Sequence, residues 1–315
     1  MELREFGNTE LKVSPICFGG NVLGWTVNEA ESFKILDLFI DNGYNFIDTA
    51  NSYSTWAKGN TGGESETVIG KWFKKNNNRS KIVLATKVGA ELFGKKGLKK
   101  LYIKEAVEAS LKRLQTDYID LYQSHFDDLE TPVSETMEAF NDLIKEGKVR
   151  CIGASNLSAE RIKESNDFSK KYKLVEYSSL QPHYNLYERD KFENEYLPLV
   201  IEEKLAVITY FSLASGFLSG KYKNESDFNK SIRGSSMNKY LNEKGKNILS
   251  ALGKISLEKN IPYASISIAW LLNNKYITSA IVSATNNNQL AELFKATDLQ
   301  LTNEEMELLY SAGKQ

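Results

Sequence analysis

Residues 45–53 read NFIDTANSY. Asn45-Phe46-Ile47 has the look of a short buried strand near its end. The run then stops on an ionisable residue, Asp48, and a phenol, Tyr53, follows on the next loop. An acid where a buried strand stops is either a turn residue or a group facing a reaction site. The same grammar recurs along the chain: a short apolar strand, a polar end, then a longer segment of helical period. The spacing predicts strands over Ile16–Phe18, Asn45–Asp48, Ile82–Lys87, Ile119–Gln123, Val149–Ala154, Ser179–Gln181, Ala206–Tyr210 and Ile277–Val282. Helix-like segments separate most of these eight. Such alternation means parallel strands joined by right-handed crossovers. Eight units within 315 residues fit a closed (β/α)8 TIM barrel. The competing doubly wound open sheet is weakened because Gly19-Gly20-Asn21-Val22, after the first strand, lacks the G-x-G-x-x-G fingerprint.

Three helices announce themselves. Residues 30–42 place Phe33, Leu36 and Ile40 at helical spacing before a stop at Gly43. Residues 102–114 carry Ile103, Val107, Leu111 and Leu114. Over 132–146, Thr131 can cap, Pro132 suits the first position, Val133, Met137, Phe140 and Ile144 share a face, and Gly147 ends the run. All three stripes are read as core packing. The chain is expected to be one domain, residues 1–315. LREFGNTELKVS forms an N-terminal β-hairpin within 1–14, and 222–247 is a polar excursion after the seventh strand.

Composition narrows the function. With 40 basic and 41 acidic residues the net charge is −1, so no basic field points to nucleic acid or an anionic membrane. Two cysteines and two histidines argue against a disulfide framework and against a structural metal. The N-terminus MELREFGN has no apolar leader core, and no run of 18 apolar residues occurs. The expected location is a reducing cytoplasm.

In a barrel of this kind the chemistry sits at the C-terminal ends of the strands. Those ends carry Asp48, Lys87, His125, Ser155-Asn156, Gln181, and Tyr210 followed by Ser212. Singly, each has a plain explanation as a cap, a surface lysine or a core histidine. Together, Asp48, Lys87 and His125 at three successive strand ends converge on one mouth, where a buried Lys or Asp needs a partner. A tyrosine is a weak acid at neutral pH, and a nearby ammonium is expected to draw its pKa down. Asp48 would hold Lys87, and His125 would donate a hydrogen bond to a carbonyl oxygen. Such a set protonates an oxygen as it becomes an alkoxide, and its natural partner is a nicotinamide hydride donor.

These residues sit in segments that resemble the aldo-keto reductase superfamily over nearly the whole chain: FIDTANSY, LATKVG, YIDLYQSH, KVRCIGASNLS, LQPHYNLYER and ITYFSLASGFLSGKY, in that order, after the hairpin LREFGNTELKVSPICFGG. The resemblance implies that Tyr53 is the general acid, that Lys87 and Asp48 tune it, and that His125 orients the carbonyl. It implies that Ser155 and Asn156 hold the cofactor carboxamide, with Gln181 beside them, and that Tyr210 stacks on the nicotinamide. It also implies that Ser212, Leu213, Gly216 and Leu218 wrap the pyrophosphate, with Lys221 nearby. Gly20, Asn21 and Phe211 join this cofactor set. Arg233 either reaches a phosphate or is a solvated arginine. Where many relatives bind the 2′-phosphate with a basic residue, IVSATNNNQLAEL offers Ser283, Thr285, Asn286 and Gln289, and Leu293 replaces a frequent Asn. NADP(H) is expected ahead of NAD(H). Trp25, Trp56, Phe126 and Tyr184 either wall the substrate site or pack elsewhere. The expected activity is reduction of an aldehyde or ketone, or the reverse. The alternatives are a nicotinamide-binding regulatory subunit of a membrane protein, and a barrel hydrolase, which leaves Lys87 and Tyr53 unexplained together.

Overall fold

The computed structural model describes residues 1–230 and 234–314. A two-stranded antiparallel hairpin, β1 (Arg4–Glu5) and β2 (Lys12–Val13), opens the chain. Eight parallel strands follow: β3 (Ile16–Gly19), β4 (Phe46–Asp48), β5 (Val83–Val88), β6 (Ile119–Ser124), β7 (Val149–Ser155), β8 (Tyr177–Gln181), β9 (Ala206–Thr209) and β10 (Ser279–Val282). Each pairs with the next and β10 pairs back onto β3, so the sheet closes in chain order. The open-sheet alternative is thereby excluded.

Between the strands run α1 (Glu29–Asp41), α2 (Glu64–Asn76), α3 (Lys100–Leu114), α4 (Val133–Lys145), α5 (Ala159–Tyr172), α6 (Leu197–Glu203), α7 (Glu243–Lys259), α8 (Tyr263–Leu272) and α9 (Asn287–Phe294), and α10 (Asn303–Ala312) closes the chain. None of the helices among the described residues is long and apolar enough to cross a membrane.

The two-residue period of a strand sorts the side chains. Ala85 and Lys87 of β5 point into the barrel, whereas Leu84 and Thr86 point out to the helices. The lower barrel is filled by Cys17, Phe46, Val83, Ala85, Leu121, Cys151, Ala206 and Ile208, and the hairpin plugs its floor with Phe6 and Val13. Phe6 meets Phe46 edge-on at 5.8 Å between ring centres. The charged Asp48 and Lys87 lie above this filling, and Ser179 and Ser279 are small polar exceptions within the barrel.

Several local expectations shift. Helix α4 starts one residue late: Pro132 is the capping residue, and Thr131 instead donates its hydroxyl to Asp128 Oδ2 at 2.6 Å. In α1 the buried face is Ser32, Ile35, Leu36 and Phe39, while Phe33 and Ile40 are only half-buried. The face rotates because Phe39 stacks on Tyr44 beyond the turn at Gly43. The polar stretch after β9 is shorter than 222–247, since α7 begins at Glu243 with Asn242 as its cap. Tyr222, Met237 and Tyr240 anchor that stretch to the core.

The α2–α3 contact depends on a missing side chain. A Cβ on Gly70 would lie 2.1 Å from the Arg113 carbonyl oxygen and 2.7 Å from the Leu114 carbonyl carbon, both backbone atoms. Helix propensity alone would favour Gly70→Ala by about 1 kcal/mol. Overpacking two rigid helices costs roughly 1–3 kcal/mol or more and should win. Gly70→Ala is therefore expected to lower the urea unfolding midpoint; a raised midpoint would contradict this packing.

Candidate active site

The strand ends open into a groove of about 1000 Å³. At its foot lies a buried ion pair. Lys87 and Asp48 have side chains 0% and 0% exposed, with Lys87 Nζ 2.5 Å from Asp48 Oδ2. Lys87 also donates to the Thr49 carbonyl at 2.9 Å and to Tyr53 Oη at 2.9 Å. Tyr53 Oη in turn donates to Asp48 Oδ2 at 3.2 Å. The other carboxylate oxygen, Oδ1, accepts from Gln123 Nε2 at 3.1 Å and from Gln181 Nε2 at 2.9 Å. Each ion is thus enclosed by partners, which is what makes an ion pair tolerable without water.

Burial sets the protonation states. The Tyr53 phenol is pushed well above its ordinary value, first by burial and then by the charge and hydrogen bond of Asp48. This corrects the expectation that Lys87 draws it down: the carboxylate shared by both groups offsets the ammonium, and loss of water disfavours phenolate. Burial lowers the Lys87 ammonium, with Asp48 pulling the other way. His125 is held well below its ordinary value by burial and then by the charge of Lys87. Its imidazole is therefore neutral at pH 7. Its ring centre is 6.0 Å from that of Tyr53, and its Nδ1 is buried without a hydrogen-bond partner among the described residues.

Above this foot the groove gathers most of the anticipated residues. Ser155, Asn156, Gln181 and Tyr210 share its wall. Asn156 Nδ2 donates to the His125 carbonyl at 2.8 Å, and Tyr210 Oη donates to Asn156 Oδ1 at 2.8 Å. Phe211, Ser212, Leu213, Gly216 and Lys221 continue it. Here the backbone takes an unusual path: Phe211, Ala214, Ser215 and Gly216 all have positive φ. The run folds back on itself, with the Ala214 and Gly216 N–H groups donating to the Phe211 and Leu213 carbonyls at 2.7 and 2.8 Å. Gly216 suits this path because its φ of +100° is one that L side chains rarely adopt. The far end is lined by Asn21, Ser283, Thr285 and Gln289, and the near end by Trp25, Trp56 and Phe126. Trp25 meets Trp56 edge-on at 5.6 Å, and Phe126 stacks on His125 at 4.7 Å.

Some anticipated residues lie elsewhere. Tyr184 is 1% exposed and packs on Phe192 and Trp270 with its hydroxyl on Glu193, so it walls no part of the groove. Leu218 is core, and its carbonyl accepts from Ser267. Gly20 sits behind the groove wall, where its carbonyl accepts from Ser65. Asn286 caps α9. Arg233 lies outside the described residues. Sequence reasoning passed over Gln123, Ser215 and Ser219. Gln123 was readable by period two from Leu121, on the inward face that Lys87 occupies in β5; Ser215 and Ser219 gave no periodic signal. Among the described residues no cluster of His, Cys, Asp or Glu is placed to hold a metal.

A Tyr–Lys–Asp–His group thus stands at the mouth of a closed eight-stranded parallel barrel. The chain belongs to the aldo/keto reductase family, whose family model matches residues 15–314. It is similar to the uncharacterized oxidoreductase YrpG of Bacillus subtilis, 34% identical over 98% of this chain and 95% of that protein. It is also similar to a probable voltage-gated potassium channel subunit beta of Arabidopsis thaliana, 34% identical over 95% and 92%. A third relative is the norsolorinic acid reductase of Aspergillus flavus, 32% identical over 94% and 76%.

A histidine buried neutral makes the fold acid-sensitive. Below the ordinary histidine pKa of about 6.5 the unfolded chain binds a proton that folded His125 refuses, so stability falls as pH drops through that window. Urea unfolding of wild type and His125→Gln at about pH 7 and about pH 5.5 should show a smaller acid loss in the variant. An equal loss would contradict the neutral assignment.

Proposed function

We propose that the chain reduces an aldehyde or ketone to an alcohol, or runs the reverse oxidation, with Tyr53 as the proton donor. The observation that carries this reading is the contact of Tyr53 Oη with Lys87 Nζ at 2.9 Å, directly beneath the groove. The residues present fit a nicotinamide dinucleotide. Tyr210 offers a ring face, Gln181 its amide oxygen, and Lys221 a cation beside Ser212, Leu213 and Gly216 for the phosphates. A bound reduced nicotinamide supplies a hydride to the carbonyl carbon.

The remaining work falls to the side chains. With Nδ1 lacking an acceptor, the His125 proton is better placed on Nε2, aimed into the groove as a donor to the carbonyl oxygen. As negative charge grows on that oxygen, Tyr53 Oη gives up its proton to it. The Tyr53 phenolate left behind is held by the Lys87 ammonium, and Asp48 keeps that ammonium in place. The high resting pKa of Tyr53 suits the reductive direction, since the phenol starts protonated. Trp25, Trp56 and Phe126 would receive the rest of the substrate, which favours a partly apolar carbonyl compound. NADP(H) stands ahead of NAD(H) on the family resemblance, although Ser283, Thr285 and Gln289 bring hydrogen-bonding groups and no charge. Likeness to channel β subunits supports a second reading, a nicotinamide-binding regulatory subunit with little turnover.

Tyr53→Phe should lower kcat on a carbonyl panel by roughly 10²–10⁴-fold. Its affinity for NADPH, followed by fluorescence titration and repeated with NADH, should stay within about threefold of wild type, because the hydroxyl faces the reacting oxygen. Near-normal kcat in the variant would overturn the role of Tyr53. Tight NADPH binding by wild type with no turnover on the panel would favour the regulatory reading.

A further inference from the structure

Gln123 is fully buried in the barrel and does not line the groove, yet both ends of its amide are spent on the site. Its Nε2 donates to Asp48 Oδ1 at 3.1 Å, and its Oε1 accepts from Gln181 Nε2 at 3.1 Å. The orientation is fixed by chemistry: turned over, the amide would set its own oxygen against a carboxylate oxygen. Gln181 is constrained in the same way. Its Nε2 gives one hydrogen to Asp48 Oδ1 at 2.9 Å and the other to Gln123, which leaves its Oε1 for the groove that Gln181 lines. Inward-facing positions beneath Gln123 are apolar, Leu121 on its own strand and Ala85 and Cys151 beside it. A buried amide in such a place is costly without partners, and the site provides them.

We propose that Gln123 is a positioning residue of the reaction centre, which divides the Asp48 carboxylate into one oxygen held by amides and one left for Lys87 and Tyr53. Resting on the reading of Tyr53 as proton donor, it acts without touching substrate or cofactor. Two neutral donors on Oδ1 absorb part of the carboxylate's field. With one removed, the carboxylate bears harder on Oδ2. The ammonium of Lys87 then holds its proton more tightly, and phenolate at Tyr53 becomes harder to form.

The test is the pH profile of kcat/KM for NADPH-dependent carbonyl reduction by Gln123→Met, a near-isosteric change without polar atoms. Gln123→Asn is the companion variant, since it keeps an amide in the barrel but draws it back from Asp48. The alkaline limb should move to higher pH by about half a unit or more in both. In an Asp48→Asn background the added Gln123→Met change should leave the limb where it was, because the carboxylate through which it acts is gone. An unmoved limb with kcat within about twofold, in whichever variant folds, would overturn the proposal. So would an equal shift in the Asp48→Asn background. Failure of the underlying reading looks different: Tyr53→Phe would retain turnover. If Tyr53→Phe is inactive and the limb of the Gln123 variants stays fixed, only the role of Gln123 falls.

Discussion

Everything at the mouth of this barrel depends on one ion pair formed without water. Lys87 and Asp48 face each other with both side chains fully buried. Stripping two ions of solvent costs several kcal/mol each unless their remaining hydrogen-bonding capacity is met. Here it is met: by Thr49 and Tyr53 for the ammonium, and by Gln123, Gln181 and Tyr53 for the carboxylate. The pair therefore fixes the phenol. Tyr53 reaches both ions at once, through its hydroxyl.

The barrel makes this arrangement possible through periodicity and closure. Asp48, Lys87, Gln123 and Gln181 come from four strands, each on the inward phase of its own alternation. In-register pairing such as Lys87 beside Gln123 brings them to one level. Below that level the interior is mostly apolar and plugged by the hairpin, with Ser179 and Ser279 as small buried exceptions. The positive-φ run after β9 extends the same end outward. It places Lys221 beside Gly216, whose φ of +100° favours glycine.

Much of this was legible in the amino acids, because strands that end on a polar residue announce both the alternation and the mouth. The eight strands fell within a residue or two of their places. The foot of the groove was readable from Asp48, Lys87 and His125 taken together. What escaped did so for physical reasons. Tyr184 belongs to a strand-end segment, yet its ring is drawn into the outer layer by Phe192 and Trp270, contacts between distant elements that no local pattern encodes. Gln123 was counted as the last residue of its strand rather than as an inward-facing one. The sign of the Tyr53 shift was missed because a charge pair was weighed without the burial that surrounds it.

That sign is where the account is most exposed. Burial and the shared carboxylate keep the phenol protonated, and in the proposed reduction Lys87 would hold the phenolate once the proton has left. The direct measurement is a spectrophotometric pH titration of tyrosinate absorbance, taken as the difference between wild type and Tyr53→Phe without cofactor. The account expects no ionisation attributable to residue 53 below about pH 10, the ordinary tyrosine value. A phenolate signal from that residue near neutral pH would contradict it, because the lysine would then dominate the site and the donor would rest without its proton.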